Sequence, residues 1–240
     1  MKIVCVGDSI TRGQVSVDYV RILRQLLPLD IVENAGVNYD TTVGVLRRIA
    51  RITARQPDIV TVLIGTNDIN YTLSGVRAAE LRKKWKLTEE LDADRYRRNM
   101  RAIIARLRTH ARVVVLSPPV LGEDLESLAL RRTTEYAGIA AAEAEAGGAA
   151  YLPLNETMVD YLRDSDASGM PYRSGKMLAR TAAAQHFVLG RSLDSISRGR
   201  GLRLTTDTVH LNSRGANMVA ELIFGFVTDV ARRTEGIGSA

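Results

Sequence analysis

Five short β-branched runs, separated by segments long enough for helices, predict an α/β protein: a doubly wound, three-layer α/β/α sandwich on a five-stranded parallel sheet. Two further observations support this class. The runs are continuously apolar and do not alternate, as befits strands covered on both faces. The intervening segments carry apolar residues at steps of three and four, the spacing of one helix face.

The strands are expected at KIVCVG (2–7), IVENAG (31–36), DIVTVLIG (58–65), RVVVLSP (112–118) and AAYLPL (149–154). In RYRRNMRAIIARLR, Tyr96, Met100, Ile103, Ile104 and Leu107 share one helical face. The last helix does the same with Met218, Val219, Leu222, Ile223, Phe226, Val227 and Val230. Residues 1–240 read as one domain, with two segments that do not fit the minimal repeat. One is a polar, helix-prone excursion at 70–92. The other, at 156–206, carries Met177, Leu178, Phe187, Val188, Leu189, Leu193 and Ile196 between breakers and is expected to be helical and packed, a potential lid. The terminal TEGIGSA (234–240) is expected to fray.

Composition narrows the function. With 45% hydrophobic and 25% charged residues the chain is an ordinary globular protein, neither disordered nor fibrous. It carries no apolar run long enough to span a bilayer and no leader pattern, so no integral membrane segment is expected. The single cysteine, Cys5, lies in an apolar run and reads as a buried spectator, which makes the cytoplasm the expected compartment. The net charge of +6 is mostly scattered arginine. Its densest clusters, 82–86 and 95–98, are interrupted by acids and read as solvated faces. SLDSISRGRGL (192–202) resembles half of a helix-turn-helix, but Gly199 and Gly201 break its second helix, so nucleic acid is not an expected partner. No His or Cys cluster has metal-ligand spacing, and no metal or other cofactor is implied.

In a doubly wound sheet, ligands bind beyond the carboxyl ends of the strands. Those ends supply Gly7, Asp8 and Ser9, then Asn34, Ala35 and Gly36, then Gly65, Thr66, Asn67 and Asp68; the loop before the last helix adds Asp207 and His210. A serine becomes a nucleophile when a base takes its proton and a third group orients that base. Asp207 and His210, three positions apart, can supply both. The Ser9 amide, the Gly36 amide and the Asn67 side chain are available donors for an oxyanion. Each piece also has a plain reading: Ser9 as the cap of the first helix, Asp40 as the cap of the second, Asn67 and Asp68 as a turn. His110 and His186 have no acid at comparable spacing and read as structural. The α/β-hydrolase nucleophile elbow does not fit, because Thr11 stands where it needs glycine. A phosphate-binding loop does not fit either.

Order and context decide between these readings. GDSITRG (7–13), NAGVNYDTT (34–42), GTND (65–68) and DTVHLNSRG (207–215) occur in sequence, each at a strand end or helix start. The set resembles the SGNH, or GDSL-type, hydrolase family over nearly the whole chain outside the two excursions. The resemblance implies a flavodoxin-like sandwich and a serine esterase acting on a small-molecule ester. It implies Ser9 as nucleophile, Asp207 and His210 completing a triad, Ser9, Gly36 and Asn67 forming the oxyanion hole, and Asp8 in a structural role. One departure stands out: Val37, Asn38 and Tyr39 replace the stretch where the family carries a further glycine, so Tyr39 is expected to reshape the pocket. Acyl transfer to another alcohol, and a binding module without catalysis, are the alternatives. Arg173, Lys176, Arg180 and Arg191 are either a solvated face or an attraction for an anionic substrate. The oligomeric state is not written in the sequence.

Overall fold

The structure is a computed structural model describing residues 1–165, 169–174 and 177–237. The first half of the chain runs β1 (Lys2–Gly7), α1 (Ser9–Arg12), α2 (Tyr19–Leu26), β2 (Ile31–Gly36), α3 (Thr42–Arg47), α4 (Ile49–Thr53), β3 (Ile59–Leu63), α5 (Thr66–Leu73), α6 (Gly75–Trp85) and α7 (Ala93–Arg108). The second half runs β4 (Arg112–Leu116), α8 (Leu128–Ala146), β5 (Ala150–Leu152), α9 (Leu154–Asp164), α10 (Met177–Phe187), α11 (Leu193–Gly199) and α12 (Ser213–Ile237). The strands form one parallel sheet in the order β2-β1-β3-β4-β5. Strand order reverses between β1 and β3, which opens a crevice at their carboxyl ends.

Successive β1 side chains serve opposite faces, as strand geometry requires. Ile3 and Cys5 pack with α2, α9 and α12, whereas Val4 and Val6 pack with α4, α7 and α8. Both faces are therefore dry around the three central strands, β1, β3 and β4, which is why these read as apolar runs. Cys5 is fully buried, and burial pushes its thiol up to about 11. The third, fourth and fifth strands are shorter than the apolar runs suggest. Gly65 turns the chain at φ 135°, Pro118 and Pro119 follow β4, and Pro153 sits at the start of α9.

Two cap assignments change. The cap of α1 is Asp8, whose carboxylate accepts from the Ile10 amide at 2.9 Å, so Ser9 is the first residue inside that helix. The cap of α3 is Thr41, whose hydroxyl accepts from the Gly44 amide. The Asp40 carboxylate is instead paired with Arg48 at 2.7 Å, while the same guanidinium donates to the carbonyls of Ala35 and Gly7. Arg48 thus ties together the ends of β1 and β2.

The excursions are helical, but their packing differs from expectation. In the larger one Leu193 and Ile196 are buried with Ala182, whereas Met177, Phe187, Val188 and Leu189 are exposed. Asp194 on α11 accepts from the amide and hydroxyl of Ser213 at 2.8 and 2.7 Å, which anchors the stretch that resembles a helix-turn-helix to the start of α12. α12 continues to Ile237, through most of the segment expected to fray; residues 238–240 lie outside the described residues. No helix among the described residues is long and apolar enough to cross a membrane.

Candidate active site

The β1 end delivers Ser9 into the crevice because Gly7 lets the chain turn tightly: a Cβ there would meet the Thr11 hydroxyl at 2.1 Å and the Leu63 carbonyl at 2.5 Å. From the far end of the chain, the loop between α11 and α12 brings Asp207 and His210 to the same place. Oγ of Ser9 lies 3.0 Å from Nε2 of His210, and Nδ1 of His210 lies 2.8 Å from Oδ2 of Asp207. The other oxygen of Asp207 accepts from the backbone amides of Val209 and His210 at 3.1 and 2.8 Å. Between them Thr208, a β-branched residue, holds φ 72°, a conformation that costs on the order of 1–3 kcal/mol and persists only where surroundings enforce it. They do so here: the Thr208 carbonyl accepts from the Gly122 amide, and its hydroxyl accepts from the Arg173 amide.

The electrostatics follow from burial and pairing. Burial opposes the charged imidazole of His210, but the neighbouring Asp207 carboxylate, with Asp8 farther off, outweighs it and holds the His210 pKa above the ordinary value of 6.5. For Asp207, burial favours the neutral acid, but His210 and the two backbone amides prevail and keep the carboxyl below its ordinary range. A proton held on Nδ1 by Asp207 leaves Nε2 to accept from the Ser9 hydroxyl. Such a chain can draw a proton off the serine as it attacks a carbonyl. Asp8, fully buried, is pushed up to about 6, mainly by burial.

Asn67 enters from the start of α5. Its Nδ2 donates to the Asp40 carbonyl at 2.8 Å and lies 3.5 Å from Oδ2 of Asp8. The neighbouring Asp68 accepts from both the amide and the hydroxyl of Thr42, docking α5 on α3. Gly36 is different. Its amide donates to Oδ1 of Asn34 at 2.9 Å, and it is not among the residues that line the cavity. Its lack of a side chain has another cause: a Cβ at Gly36 would meet the Arg12 nitrogen at 2.3 Å.

Ser9, Asn67, Asp207 and His210 border a cavity of about 280 Å³. Tyr39 is also in its wall, at φ 64°, a backbone conformation that favours glycine. Sequence reasoning passed over Arg77, on α6, and Asn70, on α5, which also face the cavity; neither belongs to a motif, and only the fold brings them in. Of the four basic residues singled out in the larger excursion, Arg173 and Arg180 line the cavity. Arg191 bonds instead to Gln185 and Ser195, and Lys176 lies outside the described residues. His110 and His186 lie outside the cavity wall, bonded to Thr109 and to the Arg191 carbonyl. Among the described residues no cluster of potential metal ligands occurs.

Fold and site together put the chain among ester hydrolases built on an α/β/α sandwich. It belongs to the GDSL-like lipase/acylhydrolase family, whose model matches residues 5–218, and is an esterase of the SGNH type. Three solved structures share the fold. An acetyl xylan esterase, AlAXEase, superposes with a TM-score of 0.69 at 20% identity, over 95% of this chain and 100% of its own. Axe2, an acetylxylan esterase from Geobacillus stearothermophilus, gives 0.66 at 18% identity, over 92% and 91%. LAE5, an alpha/beta hydrolase from the metagenome of Lake Arreo in Spain, gives 0.64 at 17%, over 93% of each chain. No curated protein sequence matches the chain.

Proposed function

We propose that the protein hydrolyses carboxylic esters through an acyl-enzyme on Ser9. The observation that carries this reading is the hydrogen-bonded series Ser9, His210, Asp207, at 3.0 and 2.8 Å. His210 takes the proton from Oγ as it attacks the ester carbonyl, then gives it to the departing alcohol; Asp207 orients the ring and stabilises its charge. The Ser9 amide, at the first position of α1, has no acceptor within its own helix and is directed to the developing oxyanion. Asn67 is the second donor: the Asp40 carbonyl fixes one of its N–H bonds, and the other is only loosely engaged by Asp8. Gly36 is left out of the hole because its amide is committed to Asn34. Water then attacks the acyl-enzyme with His210 again as base. Ser9 is only half-buried, so water has access, which favours hydrolysis over transfer to another alcohol.

The Geobacillus stearothermophilus esterase lends support. Its variants described as catalytic mutants replace a serine, an aspartate and a histidine, the last two three positions apart, as are Asp207 and His210. A panel of p-nitrophenyl esters tests the proposal. Ser9→Ala is expected to abolish turnover and labelling by a fluorophosphonate probe, and Asn67→Ala to lower kcat by roughly 10²–10³. Equal turnover by wild type and Ser9→Ala overturns it.

A further inference from the structure

We propose that this cavity selects esters that carry a negative charge beside the scissile bond. The inference rests on the esterase reading above and adds the class of substrate. Three arginines line one cavity from three separate segments: Arg77 from α6, Arg180 from α10, and Arg173 from the segment before α10. Both excursions from the minimal fold thus end at the active site, and each brings arginine to it. The two are joined there, since Nε of Arg77 donates to the Ser174 carbonyl at 3.0 Å.

The charges around the cavity do not balance. Among the described residues its wall contains a single carboxylate, Asp207, and that one is committed to His210. Arg77 is paired with Glu80 at 3.1 Å. Arg173 and Arg180 form no ion pair or side-chain hydrogen bond with any described residue. Both residues are exposed, yet they border the same volume as Ser9. A planar guanidinium matches the two oxygens of a carboxylate and equally those of a phosphate or sulfate. The rest of the lining includes small apolar side chains, Val15, Val209, Ala179 and Ala183. A short organic group ending in an anion satisfies both kinds of lining at once; a neutral ester leaves the rim arginines to water.

Two matched substrate pairs test this and place the charge. On the acyl side, mono-p-nitrophenyl succinate is compared with the shape-matched neutral p-nitrophenyl 4-methylpentanoate. On the alcohol side, 4-acetoxybenzoate is compared with neutral 4-acetoxybenzamide. Rates are corrected with Ser9→Ala. The readout is the charged-to-neutral ratio of kcat/KM in wild type divided by that in Arg173→Gln/Arg180→Gln, which cancels intrinsic reactivity. A quotient of about fivefold or more in at least one pair is expected, corresponding to about 1 kcal/mol. It should shrink as salt rises from ~0.02 to ~0.5 M. The remote double variant Arg106→Gln/Arg232→Gln should keep the wild-type ratio. Ser9-dependent turnover with a quotient near one in both pairs, or with the same loss in the remote variant, overturns the inference and leaves the esterase standing. No Ser9-dependent turnover of any of the four esters overturns both.

Discussion

His210 can take a proton from Ser9 only while Nε2 is bare, so the protonation of this one ring governs the proposed reaction. Burial alone disfavours the charged imidazole; the Asp207 carboxylate at 2.8 Å outweighs it and raises the pKa above 6.5. Activity should therefore be lost as pH falls through a midpoint above 6.5. In Asp207→Asn the acid is gone and burial dominates, so the midpoint should move down, together with a fall in kcat because the ring is no longer held in one tautomer. A pH profile of kcat/KM for both proteins checks this, and an unmoved midpoint in Asp207→Asn counts against the role given to Asp207. Ser9 itself illustrates how far one residue can be read alone. Its position after a strand and before a helix fits a cap, and the structure gives that task to Asp8 instead, freeing the Ser9 hydroxyl for a partner 201 residues away in the chain.

At the level of elements, α6 acts as a clamp on the cavity wall. Nε1 of Trp85 donates to the Tyr39 carbonyl at 2.9 Å, Nζ of Lys84 donates to the Asn38 carbonyl at 2.7 Å, and the same ammonium lies 4.9 Å from the centre of the Tyr39 ring. These contacts hold Tyr39 in its positive-φ conformation. The cluster RKKWK, read as a solvated face, therefore has a structural duty that its interspersed acids concealed. Trp85→Phe keeps an aromatic ring and removes the bond to Tyr39. It should cost about 1 kcal/mol, or roughly 2–4 °C in Tm, and relax the preference among acyl chain lengths. Unchanged chain-length selectivity would dissociate α6 from the pocket. The same element shows where sequence reading reaches its limit. β1 ends where its apolar run ends, because burial on both faces writes itself into nearly every residue. α6 and α10 serve loops distant in sequence, so nothing local marks Arg77 as a neighbour of the cavity or Trp85 as a support of Tyr39. Gly36 shows a related limit: a glycine required by the backbone of α1 looks, in sequence, the same as one that admits a ligand.

Across the whole molecule, the same crevice that gathers the site also buries four groups whose pKa values move in one direction. Burial is the leading cause for three of them, raising Asp8 to about 6, Asp68 to about 7 and Asp40 above its ordinary 3.8; for His210, Asp207 does it against burial. Each therefore binds its proton more tightly when folded than when unfolded. The stability this contributes is full below the unfolded values and is lost as pH rises through the folded ones. Asp207 and Glu33 move the other way, but both titrate below the ordinary carboxylate range and affect stability only in more acidic solution. Between about pH 5 and pH 8 the raised groups act unopposed by these two. Because a tenfold gain in proton affinity on folding is worth about 1.4 kcal/mol, Tm should fall by about 5 °C or more across that interval. Asp68→Asn keeps an acceptor for Thr42 and cannot ionise, so it should flatten a good share of the slope by raising Tm at pH 8 relative to the wild type. Calorimetric scans of the two proteins at pH 5 and pH 8 decide the matter: a wild-type Tm that stays level or rises toward pH 8 means that Asp8 and Asp68 are ionised in the fold at little cost. In the expected case, holding carboxyls in a dry crevice costs stability at the same alkaline pH at which His210 is free to act as a base, so stability and activity are drawn toward opposite ends of the pH range.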